Sequence, residues 1–370
     1  MEGLEENGNG TTHEFTPSAG IYVLAVVVVL TAVVSVLGNL LVQVAFWRTK
    51  SLKGSSPGTL VMVLALVDFC MATLVMPFVI TTALHGEWSQ SHGLCVASGF
   101  LNTFLTAIQF GVLFSISLNR FTAVSFPHRY QLKWKTTTTY VMILLVVAHS
   151  LLWSIMPFLG WGGYDYIQGT LFCNINWSEH KAHSTSLFVF CYIIPAVIAA
   201  LLYITVYVKV RKMGQSPIAQ LRMGSQVDLR IGQIERDDNS FYSDGHSKIS
   251  TNDPSSSPGN KGNIYSSRGS MNTINRNFRR HRSRESRVTT SLLLVAAAFA
   301  IFWLPRGLVN FSAVVSGRDS VPKAIEYLSS VFIFMSSFVN PIIYALFHYE
   351  YNKAFRQILG CKKKCIVGKT

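Results

Sequence analysis

Seven long apolar runs constrain this chain more than any other feature. Residues 21–46 carry no charged side chain, and a helix rising about 1.5 Å per residue needs roughly 20 residues to cross a hydrocarbon layer about 30 Å thick. Six further runs lie at 58–84, 94–126, 137–160, 184–208, 288–315 and 324–347. Each reads as a spanning helix, and an odd number of spans puts the two termini on opposite sides of a membrane.

Charge placement decides which side is which. The formal net charge of +14 fits either nucleic-acid binding or a membrane topology. Arg48, Lys50 and Lys53 follow the first run, Arg129, Lys133 and Lys135 the third, and Lys209, Arg211 and Lys212 the fifth. Arg276, Arg279, Arg280, Arg282, Arg284 and Arg287 precede the sixth, and Lys353, Arg356, Lys362, Lys363 and Lys364 follow the seventh. All of these share one side, whereas the opposite loops hold only Lys181, Arg318 and Lys323. Translocated loops are depleted of Lys and Arg, so the N-terminus is expected outside, the C-terminus in the cytosol, and no nucleic-acid partner is expected. A chain with 49% hydrophobic and 14% charged residues is also poorly suited to a water-facing surface.

The expected fold is all-α: an extracellular tail over 1–20, a seven-transmembrane helix bundle over 21–347, and a short amphipathic eighth helix with a cytoplasmic tail over 348–370. The tail carries Glu2, Glu5, Glu6 and Glu14 and no short apolar stretch, so the first span is expected to direct insertion itself. Ser, Asn, Gly and Asp dominate the stretch between spans five and six, and about 213–280 is expected to be a disordered loop. Its serines, 240–270, suit phosphorylation as well as mere solvation. Asn9-Gly10-Thr11 and Asn176-Trp177-Ser178 match the glycosylation pattern and fall on the outer side. The six cysteines show no zinc-like spacing, and no metal site is expected.

A polar side chain inside a span costs several kcal/mol unless it is paired or lines a wet cavity. Asn39, Asp68, Gln109, Arg120, His149 and Asn340 therefore need explaining, and Pro157, Pro195, Pro305 and Pro341 bend four spans. Asn39 sits in Gly-Asn-Leu-Leu-Val of span one and Asp68 in Leu-Ala-Leu-Val-Asp of span two. Cys95 opens span three and Asn119-Arg120-Phe121 closes it. Pro195 and Tyr203 mark span five, Phe302 to Pro305 (Phe-Trp-Leu-Pro) span six, and Asn340-Pro341-Ile342-Ile343-Tyr344 span seven. In this order the residues resemble the rhodopsin-like (class A) G-protein-coupled receptors across every span.

That resemblance implies a receptor, not an enzyme, in the plasma membrane, activating a heterotrimeric G protein, with arrestin and a receptor kinase as further partners. It implies a polar core of Asn39, Asp68 and Asn340 that holds an allosteric sodium ion at rest, although Gln109 stands where a small hydroxyl residue is usual and fills that site. Arg120 would be pinned by Glu285 at the base of span six. Asn119 replaces the usual neighbouring carboxylate, which predicts raised ligand-independent signalling. Trp303 and Phe299 would form the aromatic switch, Pro305 the pivot of span six, and Tyr203 with Tyr344 a contact made on opening; for an isolated aromatic pair, simple packing would be the better reading. Cys95 and Cys173 would form a disulfide, Cys361 and Cys365 would be acylated beyond the amphipathic stretch 351–359 or remain free thiols, and Cys70 and Cys191 would pack in the core.

The ligand is less legible. Asn102 replaces the aspartate of amine receptors, and Phe334 the retinal-bearing lysine of opsins, so neither a monoamine nor retinal is expected. The outer pocket is expected from Asn102, Thr106, Trp303 and Phe334 with Arg306, Asn310 and Glu326. Arg306 suits a small organic anion or lipid acid, or it pairs with Glu326, which weighs slightly more. Melatonin, adenosine and opsin-related receptors are loosely similar, although Val147 stands where span four usually has tryptophan. A lysine-less opsin-like receptor is the alternative. A channel or transporter would show polar residues along several spans rather than at one depth, and a membrane enzyme would need more than the isolated His149.

Overall fold

The computed structural model describes residues 19–134, 136–167, 170–177, 180–215, 264–316 and 321–360, excepting the side chains of 19, 21, 131, 211–215 and 264–286. Seven helices are long and apolar enough to cross a membrane: Tyr22–Arg48, Ser56–His85, His92–Ser125, Thr136–Leu159, Lys181–Val210, Arg287–Ser316 and Lys323–Phe347. A short eighth helix follows at Tyr349–Ile358. Leu37, Leu144, Leu145, Ile301 and Leu304 are exposed while Asn39, Asp68, Gln109 and Arg120 are buried. That inversion of a water-soluble pattern is what a hydrocarbon solvent selects.

Proline shapes the spans. It lacks an N–H and its ring crowds the preceding turn, and the helix accommodates this by widening. Span two loosens into a π turn at Met71–Val75 just before Pro77, a fifth proline besides the four expected to bend spans. Span five does the same at Phe188–Ile193 ahead of Pro195. Span four tightens to a 3-10 turn at Met156–Leu159, which contains Pro157 and ends at Gly160 with φ 88. Pro305 and Pro341 stay inside continuous helices. At Gly38 a Cβ would sit 2.9 Å from Pro341 Cγ, so the missing side chain is what lets spans one and seven meet there.

The loop between spans four and five folds into an antiparallel hairpin, β1 (Tyr164–Tyr166) and β2 (Cys173–Ile175), with Tyr164 opposite Ile175. A disulfide joins Cys173 to Cys95 at the head of span three. Tyr164 donates to the Ser154 carbonyl at 2.8 Å, and burial holds its phenol above the usual range. The eighth helix buries Tyr351, Ala354 and Phe355 and packs on span one.

Two compact units make up the chain, Met1–Tyr203 with Arg287–Thr370, and Ile204–Ser286. The second contains the end of the helix Ile194–Gln215 and the start of the helix Ile264–Ser316. Residues 213–215 and 264–280, expected to be disordered, are therefore helical. Once a span has nucleated a helix, extension costs far less than initiation, and polar composition alone does not stop it. Asn9, Cys361, Cys365, the Glu285 side chain and the remainder of the expected loop lie outside what is described.

Candidate functional site

Four spans meet at a buried polar core. Asp68, 1% exposed, accepts from Gln109 Nε2 at 2.6 Å and from Asn340 Nδ2 at 2.8 Å, one bond to each carboxylate oxygen. Asn39 Nδ2 donates to the carbonyls of Ser35 at 2.9 Å and Ser337 at 3.0 Å, tying span one to span seven. The residues expected to form this core are thus brought together, with the Ser337 carbonyl as an added partner. The amide N–H groups of Gln109 and Asn340 point their positive ends at Asp68.

Arg120 and Asn119 are buried at the other end of span three. Arg120 Nε donates to Asn119 Oδ1 at 3.0 Å, and its Nη2 donates to that same oxygen and, at 3.3 Å, to the Tyr130 hydroxyl. Asn119 Nδ2 lies 3.4 Å from that hydroxyl. Tyr130 stands on the short helix Pro127–Lys133, which Pro127 starts after span three ends. No reading of the sequence singled out Tyr130; an aromatic one helical turn beyond a proline was its only signal. The buried hydroxyls of Tyr203 and Tyr344 have no hydrogen-bond partner among the described residues.

Between Tyr344 and Tyr351 lies His348, 3% exposed, its ring edge-on to both at 6.3 and 5.0 Å. Neither ring nitrogen finds a hydrogen-bond partner among the described residues. Burial first, then the Arg120 charge, pushes its pKa down to about 4. His348 was also missed in the sequence, because only tertiary packing distinguishes it from a surface histidine.

Trp303 and Phe299 belong to a larger aromatic hub. Phe110 is its centre, with ring centroids 4.8 Å from Phe299, 5.3 Å from Trp303 and 4.9 Å from Tyr192. Phe299 and Trp303 lie 5.5 Å apart. Spans three, five and six therefore share one ring cluster, in which edge-to-face pairs each contribute about 0.5–1.5 kcal/mol beyond area burial. Phe110 directly follows Gln109 on span three, yet its neighbours come from distant parts of the chain.

Toward the outer end, Arg306 and Glu326 are both buried and form an ion pair at 3.6 Å, with Arg306 Nη1 also donating to Ser330 Oγ at 3.3 Å. Phe172, from the loop beside β2, has no exposed surface. The Arg306 guanidinium carbon lies 5.4 Å from its ring centre, and its ring meets that of Phe334 edge-on at 5.4 Å. The alternative of an Arg306–Glu326 pair is what the structure contains. Asn102 and Thr106 are buried on span three and Asn310 on span six, and none of the three takes part in the contacts just given.

A family model described as "7 transmembrane receptor (rhodopsin family)" matches residues 38–344. The chain belongs to the rhodopsin family of seven-transmembrane receptors. It is similar to G protein-coupled receptor 161 of Bos taurus, 24% identical over 97% of this chain and 61% of that receptor. Melanopsin-B of Xenopus laevis is 22% identical over 93% of this chain and 56% of that protein. Peropsin of Mus musculus is 21% identical over 92% and 85%. The chain spans about three-fifths of the length of the first of these relatives. Squid rhodopsin shares the fold, with a TM-score of 0.71 at 19% identity, covering 94% of this chain and 87% of that one.

The chain is therefore that of a multi-pass seven-transmembrane receptor, from a family of receptors rather than enzymes. Within the receptor, Cys191 is buried and Cys70 half-buried, in line with packing for the former. His149 is exposed and its Nε2 accepts from Trp153 Nε1 at 3.2 Å, so it packs along its own helix rather than joining a catalytic set. Asn176 is half-buried beside the buried Trp177.

Proposed function

We propose that this receptor lies in the plasma membrane with its N-terminus outside, and that a small extracellular ligand drives it to activate a heterotrimeric G protein. A receptor kinase and arrestin then act on its cytoplasmic side. The observation that supports the reading is the inner end of span three, where Arg120 is buried and its immediate neighbour is the neutral amide of Asn119, which accepts from it. An amide in place of a carboxylate beside Arg120 removes one charge–charge attraction from the inner end of span three, so the resting state is less firmly latched and signals without ligand. Gln109 and Asn340 each donate to one oxygen of Asp68, which supplies part of the stabilisation that a sodium ion would give and makes the resting core less dependent on sodium.

The ligand is a small organic or lipid acid that takes Arg306 from Glu326. Their separation of 3.6 Å exceeds that of a close charge-assisted bond, about 2.7–2.9 Å, which a ligand carboxylate can reach. Retinal is not expected, since Phe334 has no amine for a Schiff base. The test is a second-messenger and arrestin-recruitment assay of the expressed receptor, with and without a library of organic acids. Basal output above untransfected cells and a response abolished by Arg306→Ala are expected. Basal output equal to untransfected cells, or a cytosolic amino terminus, overturns the reading.

A further inference from the structure

We infer that His348 is a proton-binding site at the inner end of the bundle, and that a proton taken up there favours the signalling state of the receptor. His348 is the single residue between span seven and the eighth helix. Its backbone is extended; its N–H donates to the Tyr344 carbonyl at 3.2 Å, and its carbonyl accepts from the Asn352 N–H at 2.9 Å. The main chain of His348 thus joins both helices, while its side chain is buried.

The space that receives the imidazole offers it nothing polar. Tyr344 and Tyr351 present ring edges to it, and neither Nδ1 nor Nε2 has a hydrogen-bond partner among the described residues. Buried polar groups are nearly always partnered in native structures, and an apolar ring would fill the same space without the cost of stripping two nitrogens of water. A histidine kept there points to a second state in which those nitrogens are satisfied.

The groups that face His348 show why the shut state excludes a proton. Span three contributes the Arg120 charge, span seven the Tyr344 phenol and the eighth helix the Tyr351 phenol, with the Tyr203 phenol of span five near Tyr344. No carboxylate pairs with the ring among the described residues. Burial first, then Arg120, hold the pKa at about 4, whereas a hydrated histidine titrates at about 6.5. Opening the inner end separates Arg120 from its present contacts and lets water reach the orphaned nitrogens. A group whose pKa is lower in the shut state takes up its proton on opening, so acid favours the open state. The effect grows as cytosolic pH falls through about 6.5 and is complete near 4. Between about pH 7.4 and pH 6.0, the open-to-shut ratio rises about four-fold if the open state restores the hydrated value. The inference rests on the functional reading only in needing an inner end that opens.

The experiment uses the full-length receptor in nanodiscs with purified G protein, without ligand, and reads nucleotide exchange at the two pH values. A bimane label on Thr290→Cys, at the inner end of span six, reads opening with no G protein present. Exchange and label signal in the native receptor are expected to rise about four-fold on acidification, relative to His348→Phe and His348→Gln, which carry no titrating ring. A role in packing alone would change the level of both signals in the variants and leave their pH dependence intact. His348→Gln keeps a polar side chain, so the comparison survives if His348→Phe fails to fold. A pH response of equal size in the variants, or a label signal in the native receptor that does not move with pH, overturns the inference. A label that moves without any nucleotide exchange overturns the G-protein reading and leaves this one standing.

Discussion

Replacing Asn119 by Asp exchanges a neutral acceptor for an anionic one at the same length. In the receptor, Arg120 Nε lies 3.0 Å from Asn119 Oδ1, its Nη2 reaches the same atom, and Tyr130 can turn its hydroxyl to donate. The guanidinium already makes these bonds charge-assisted, so the substitution adds the Coulomb attraction of a full ion pair, about 4 kcal/mol at about 4 Å for an effective dielectric constant of about 20. The cost of desolvating a carboxylate at a site with no exposure takes back most of it. The resting state is then favoured by about 1 kcal/mol, which shifts a two-state equilibrium about five-fold. Nucleotide exchange on G protein in membranes without ligand, normalised to surface receptor, should fall by that factor. Basal exchange that is unchanged or higher in Asn119→Asp, at equal surface density, refutes the reasoning.

Other perturbations follow from the same geometry. Gln109→Ser withdraws one amide from Asp68, so sodium should raise the thermal unfolding midpoint of the variant relative to choline while leaving the native receptor unmoved; equal response of both proteins contradicts the filled-site reading. Glu326→Gln leaves the Arg306 charge buried and should cost about 3 kcal/mol of stability, much of it recovered in Arg306→Met with Glu326→Leu; denaturation in detergent measures both. His348 has a folded-state pKa of about 4 against about 6.5 unfolded, so the unfolded chain binds the extra proton. Its contribution to stability is present above pH 6.5, is lost as pH falls toward 4, and amounts to about 3 kcal/mol; His348→Phe should flatten that part of the stability-pH curve.

The seven spans and the eighth helix were legible because each depends on local composition. Asp68, Asn340 and Gln109 were legible as a group because an ionisable or amide side chain in lipid must find partners, and those at one depth find one another. The Cys95–Cys173 bridge came through the family resemblance. Helix over 264–280 was not anticipated, since polar composition does not reveal that a neighbouring span has already supplied the nucleus.

What only tertiary structure decided is which side chains touch across the bundle. Phe110 became an aromatic hub and Phe172 a cover for Arg306 through contacts between segments far apart in the chain, and Tyr130 became a cap on Arg120 across the turn that follows span three. Hydropathy specifies that a residue leaves water or faces lipid, because transfer free energy depends on the residue alone. It does not specify a partner, because pairing depends on how the helices, loosened into π turns before Pro77 and Pro195, bring their faces together.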